Sequence, residues 1–113
     1  MSRADRVGGL LRRELASIVQ RELESELPSL ISLTDVEVSR DLGHARVYVS
    51  VLEIDKAAEV MRALNDSAGD IRSELARRVR MRSVPELRFL HDTSSESGQR
   101  IEQLLAAARK SRS

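Results

Sequence analysis

The sequence predicts an α+β two-layer sandwich, a three-stranded sheet with helices packed on one face. Apolar residues recur at three- and four-residue spacing over 4–27, 56–66 and about 70–81. They alternate at period two over 35–39, 45–51 and 83–92. The resulting order is α-β-β-α-α-β. Strands two and three are then joined by a two-helix crossover, which permits parallel pairing.

Each element has its own signal. Val7, Leu10, Leu11, Leu15, Ile18, Leu23 and Leu27 form one helical stripe, and Pro28 ends it. Gly8–Gly9 weakens the first turn of that helix. "DVEVS" and "ARVYVSV" form a hairpin across "RDLGH", with Val36 and Val38 facing Val47, Val49 and Val51. Asp55 is placed to cap the helix over 56–66. In "SVPELRFLHD", Leu87 and Phe89 alternate with Arg88, and Pro85 marks a strand end or sheet edge. Thr93 and Glu96 have capping-box spacing. Ile101, Leu104, Leu105 and Ala108 supply a last stripe, and "RKSRS" forms a basic end. With 113 residues and no long linker, the chain reads as a single domain over 1–113, its core at about 4–92 and a terminal helix and tail over 93–113.

Composition narrows the function classes. Hydrophobic residues make up 41% and charged residues 33%, enough for one core under a highly charged surface. No apolar run approaches the length of a membrane span, and no export signal is read. With no cysteine there is no disulfide framework or thiolate metal site, so a cytoplasmic location is expected. The formal net charge is only +1, but it is unevenly spread. From Asp70 to Arg88, six arginines stand against three acids, whereas "RELESELP" at 21–28 is acidic.

The stretch "ALNDSAGDIRSEL" (63–75) interrupts a good helical pattern with Ser67-Ala68-Gly69. Gly69 is expected to take the left-handed conformation that closes the first helix, with Asp70 in the first turn of the next. A carboxylate there competes with phosphate for the same amides, so the corner is not read as a phosphate clamp. The arginines are better candidates for nucleic-acid backbone contact. Arg72, Arg77 and Arg80 are expected on the polar side of the second helix, opposite Leu75 and Val79. Arg78 borders the core and pairs with Glu74 at i,i+4, and Arg82 is placed to hold Glu86 or Asp92. Tyr48 and Phe89 are the only aromatics, which disfavours base-stacking platforms such as the RRM. Phe89 is expected in the core and Tyr48 on the sheet surface.

Several motifs fall together in order and spacing. They are "RADRV" (3–7), "VSRDLGHARVYVSVL" (38–52) and the whole of 69–105. The last contains Gly69-x-Ile71-Arg72, Arg82-x-x-Pro85-Glu86-Leu87-x-Phe89, Asp92 and Gly98-x-Arg100-Ile101. On these residues the chain resembles the ribosome-binding factor A family over nearly its full length. The resemblance implies a KH-like fold of type II topology, in which an interrupted Ala-x-Gly helix–kink–helix stands where KH domains carry a GXXG loop. Here the first alanine is Ser67. It further implies a monomeric, cytoplasmic, non-catalytic factor that binds free 30S subunits and their 16S rRNA. Such a factor assists late maturation near the 5′-terminal helix and decoding region, acts with late-assembly GTPases, and contributes to cold adaptation. RNA contact is then expected at Ser67, Ala68, Gly69, Arg72, Arg77, Arg78, Arg80 and Arg82.

Catalysis finds no support in the residues. His91, Asp92 and Ser94 are neighbours at a strand end and point in different directions, and His44 is expected in a turn near Asp41. No cofactor or metal is expected, since two separated histidines are too few ligands. The alternative reading is a small protein-interaction adaptor with no direct RNA contact, docking through a face that includes Leu104 and Leu105.

Overall fold

A computed structural model describes residues 2–94. In chain order these form α1 (Arg3–Glu22), a 3-10 turn (Glu24–Glu26), β1 (Ile31–Val38), β2 (His44–Val51), a second 3-10 turn (Ile54–Lys56), α2 (Ala57–Asp66), α3 (Ala68–Arg78) and β3 (Glu86–His91). The expected terminal helix and its apolar stripe lie outside the described residues. No described helix is long and apolar enough to cross a membrane.

The sheet order is β1-β2-β3, with β1 antiparallel and β3 parallel to β2. Register places Val36 beside Val47, Leu33 beside Val49, and Val47 beside Phe89 on one face. Those residues are buried, with Leu11, Leu15 and Ile18 of α1, Val60 and Leu64 of α2, and Ile71 and Leu75 of α3. Burying each such side chain stabilises the fold by about 1.5–3 kcal/mol. α1 lies on β1 and against α3, while α2 and α3 lie on β3. The opposite face carries Glu37, Arg46, Tyr48 and Arg88, where the Tyr48 hydroxyl donates to Glu37 at 3.0 Å and Arg46 pairs with Glu37 at 3.1 Å. The hydrogen bond to that carboxylate raises the Tyr48 pKa.

Several expected details change. α1 stops at Glu22, because Leu23 leaves the helical region (φ −127°, ψ −26°) and a 3-10 turn redirects the chain well before Pro28. Leu23 and Leu27 still pack on the core. At its other end, Ser2 and Asp5 form a capping box, and the Ser2 backbone N–H holds the Asp5 carboxyl below its ordinary pKa. Leu10, expected on the apolar stripe, is exposed. β1 begins four residues earlier than expected and carries a bulge between Leu33 and Asp35. Asp55 does not cap α2; it lies in the second 3-10 turn, and α2 starts without a side-chain cap.

The hairpin turn is organised by Asp41. One of its carboxylate oxygens accepts from the Ser39 hydroxyl at 2.7 Å and from the Gly43 N–H at 2.9 Å. The left-handed residue is Leu42 (φ 61°), not Gly43. His44 is not in the turn but opens β2, with Nδ1 3.4 Å from Glu86.

Gly8 has a specific reason to be glycine. A Cβ there would stand 2.6 Å from the Val36 carbonyl oxygen, so this is where α1 sits directly on β1, whereas Gly9 faces open space. Gly8→Ala is expected to destabilise the protein by about 1–3 kcal/mol through overpacking. Gly9→Ala is expected to be neutral or stabilising by up to about 1 kcal/mol. Urea unfolding of the two variants checks the contrast.

Asp41 and Asp92 both have pKa values held below the ordinary carboxylate range by hydrogen bonds, first from Ser39 and from Ser94 respectively. A folded pKa below the unfolded value of about 3.9 means that their contribution is present above that pH and is lost as pH falls through the folded values. Asp41→Asn should therefore lower stability at pH 7 and flatten the acid side of the stability–pH curve, so that the two proteins converge toward pH 2. Thermal melts between pH 2 and 7 would show this.

Candidate nucleic-acid interface

The break in "NDSAG" is a corner one residue wide. α2 ends at Asp66 and α3 begins at Ala68. Ser67 alone leaves the helix (φ −93°, ψ 1°), and its N–H still bonds to the Ala63 and Leu64 carbonyls at 3.1 Å. The Ile71 N–H then reaches the Ser67 carbonyl at 2.9 Å and starts the new helix, with no side-chain cap from Ser67. Gly69 does not adopt the left-handed conformation expected of it; it is the second residue of α3, and a Cβ there would meet nothing. A single residue in the bridge region turns the chain, and any L-residue can adopt that geometry. Gly69 leaves bare helical backbone at the surface.

Two polar side chains hold this corner against the sheet. Asn65, at the end of α2, accepts from the Phe89 N–H at 2.8 Å and donates to the Phe89 carbonyl at 2.9 Å. Its amide therefore pairs with the outer edge of β3 as a neighbouring strand would, which shields that edge. Arg72, in α3, donates through Nε and Nη2 to the Val84 carbonyl at 3.1 and 2.7 Å.

Between corner and sheet lies a cleft of about 770 Å³, lined by Asn65, Ala68, Gly69 and Arg72 on the helical side and by His44, Arg46, Leu87 and Arg88 on the sheet side. Register sets Arg46 next to Arg88 and His44 next to Glu86 across the β2–β3 pair. Arg88 is exposed and has no ion-pair partner among the described residues.

The expected site residues are not gathered in one patch. Ala68, Gly69 and Arg72 line the cleft. Ser67 and Arg77 line a second depression toward α1, with Glu22, Asp70 and Glu74, and Arg77 is paired with Glu74. Arg78 is half-buried between α3 and α1, donating to Ser17 Oγ at 3.0 Å and lying 3.5 Å from Glu74 and 3.7 Å from Glu14. Because α3 ends at Arg78, Arg80 is not on that helix; it and Arg82 are exposed in the connection to β3. Arg82 holds neither Glu86 nor Asp92. Glu86 faces His44, and Asp92 accepts from Thr34 and Ser94. Arg46, Arg88, His44 and Asn65 are the residues that sequence reasoning missed. Arg46 and Arg88 each alternate with core residues, but only strand register sets them side by side.

Comparison with known proteins bears on this geometry. The family profile described as Ribosome-binding factor A matches residues 3–105. The chain is 46% identical over 104 residues to a ribosome-binding factor A of Xanthomonas oryzae pv. oryzae, covering 91% of this chain and 79% of that protein. The crystal structure of ribosome-binding factor A from Thermus thermophilus superposes with a TM-score of 0.71 at 32% identity, over 78% of this chain and 93% of that one. A homology model of the Thermus thermophilus factor, fitted into the cryo-EM map of a 30S–RbfA complex, superposes with a TM-score of 0.67 at 33% identity, over 80% of this chain and 97% of that one. The match across nearly the whole chain places this protein in the ribosome-binding factor A family.

Proposed function

We propose that this protein is a non-catalytic RNA-binding factor of the small ribosomal subunit, and that the cleft between the α2–α3 corner and β3 is its principal RNA contact. The observation that carries the reading is the meeting, in one cleft, of bare helical backbone at Ala68–Gly69 with three arginines that line it: Arg72, bonded to the Val84 carbonyl, Arg46, paired with Glu37, and Arg88, without an ion-pair partner among the described residues. An open backbone lets a sugar–phosphate chain approach closely, and arginine forks bind its phosphates. The fold is taken as KH-like, with the single-residue corner in place of a GXXG loop. A related Thermus protein described in a 30S complex supports the subunit as partner.

On this reading the factor binds free 30S subunits and favours one conformer of 16S rRNA near the 5′-terminal helix and decoding region during late maturation. Differential affinity for RNA states is sufficient for such a role, with no bond made or broken by the protein. Late-assembly GTPases would supply directionality, and a bias toward one RNA fold is most useful in the cold, where misfolded helices escape slowly. Arg77, Arg80 and Arg82, all exposed, extend the basic surface around α3. Ser67 shapes the corner, and Arg78 fixes α3 to α1.

Salt-dependent co-sedimentation with purified free 30S subunits tests this. Arg46→Glu with Arg88→Glu should weaken binding and lower the salt slope by about 1 for each phosphate contact removed. Equal binding by this double variant would sink the cleft assignment. Unchanged binding across a range of salt would favour the protein-adaptor reading. Arg78→Glu should instead reduce stability by about 1–3 kcal/mol in denaturant titrations, since it leaves Glu14 and Glu74 facing a like charge in a half-buried site.

Gly69→Ala separates folding from binding. The added methyl meets open space in a helix, so stability should hold or rise by up to about 1 kcal/mol. Subunit affinity should fall because the methyl stands where RNA backbone approaches. A Gly69→Ala protein that is more stable and binds fully would show that the bare backbone is not used.

A further inference from the structure

At the end of the sheet opposite the cleft, the chain exposes large apolar side chains. Leu52 is 70% exposed, Leu30 59% and Ile54 52%. Leu30 and Leu52 form one feature: Ile31 pairs with Val51, and the next rung is closed by the Leu52 N–H donating to the Leu30 carbonyl at 3.0 Å. Leu30 and Leu52 therefore extend the β1–β2 ladder as a cross-strand pair on the face away from the core.

The base of this pair is rigid. Ser29 is the one buried polar residue among the described residues, 6% exposed. Its hydroxyl accepts from the Glu53 N–H at 2.9 Å and donates to the Leu30 carbonyl at 3.0 Å, so it welds the two segments that carry the leucines. The surroundings are acidic. Glu53 and Asp55, both exposed, interleave with Leu52 and Ile54, with Lys56 the nearest cation in sequence, and Glu24 lines a depression with Ile31 and Ser32 that Arg12 shares. The RNA-binding reading leaves this exposed leucine pair and its two carboxylates without a role.

We propose that Leu30, Leu52 and Ile54 form a docking surface for a basic, amphipathic polypeptide segment. Charge decides among occupants. The flanking carboxylates repel phosphate, which excludes RNA and anionic lipid, and they disfavour a second copy of the same surface. A cationic segment with apolar anchors satisfies both the leucines and the acids. This inference rests on the ribosomal reading above, which supplies such a partner in the form of a small-subunit ribosomal protein. The cleft is about 25 Å away along β2. One end of the sheet would then hold RNA and the other protein, and the factor would sense their relative position.

The test is photo-crosslinking with p-benzoylphenylalanine in place of Leu52, in complexes first isolated by co-sedimentation with purified 30S subunits. The expected product is an adduct with a basic ribosomal protein. In parallel, Leu30→Ser with Leu52→Ser should weaken co-sedimentation about tenfold with an unchanged salt slope and an unchanged melting curve, because both side chains are already exposed. An adduct with RNA, an internal adduct with residues 95–113, or no protein adduct in a complex that still forms overturns the proposal alone. Failure of the unmodified protein to co-sediment overturns both this proposal and the ribosomal reading.

Discussion

The structure depends on covering one face of β2. This strand is central, paired on both edges, and its Val47 and Val49 are fully buried. A three-stranded sheet with one dry face needs a layer of helices and nothing more. α1 covers the β1 side, descending onto the strand at Gly8, where no side chain fits. α2 and α3 cover the β3 side and also form the crossover that lets β3 run parallel to β2. The site follows from that crossover. Two helices in the connection require a corner between them, and the corner falls beside the edge strand.

A corner alone would not make an interface. Its position over β3 is set by two polar side chains that satisfy backbone groups left open by the sheet. Asn65 occupies both hydrogen-bonding groups of Phe89, and Arg72 occupies the Val84 carbonyl just before the strand. Partly buried polar contacts of this kind are geometrically demanding, because an unmade bond leaves a desolvated group. They fix the spacing between the helices and the sheet and keep the cleft open. Arg72 thus combines a structural bond with a place on the cleft wall, and Arg78 is tied to α1 in a similar way. The arginines that look alike in sequence divide into those that hold the fold and those that face solvent.

Charge follows the same geometry. The arginine-rich half supplies α3, its exit and the start of β3, while Glu53 and Asp55 flank the exposed leucine pair at the other end of the sheet. A net charge near zero therefore hides a molecule with two unlike ends. The rigid β2 strand connects them.

The sequence by itself determined the α+β class, the order of the elements, the parallel crossover and the family, because periodicity, turn chemistry and ordered motifs are local properties of the chain. It also marked the corner, since no other use of Asn, Asp, Ser and Gly between two apolar stripes is as economical. What it could not decide was which residue bends the chain: local capping rules favour glycine, but the helix packing required only that Ser67 leave its well while Gly69 stayed helical. Nor could it join Arg46 to Arg88, or find Asn65 on the outer edge of β3. Those contacts span 42 and 24 positions, and they exist only because strand register and helix placement, both consequences of burying the same apolar face, bring distant polar residues to one edge.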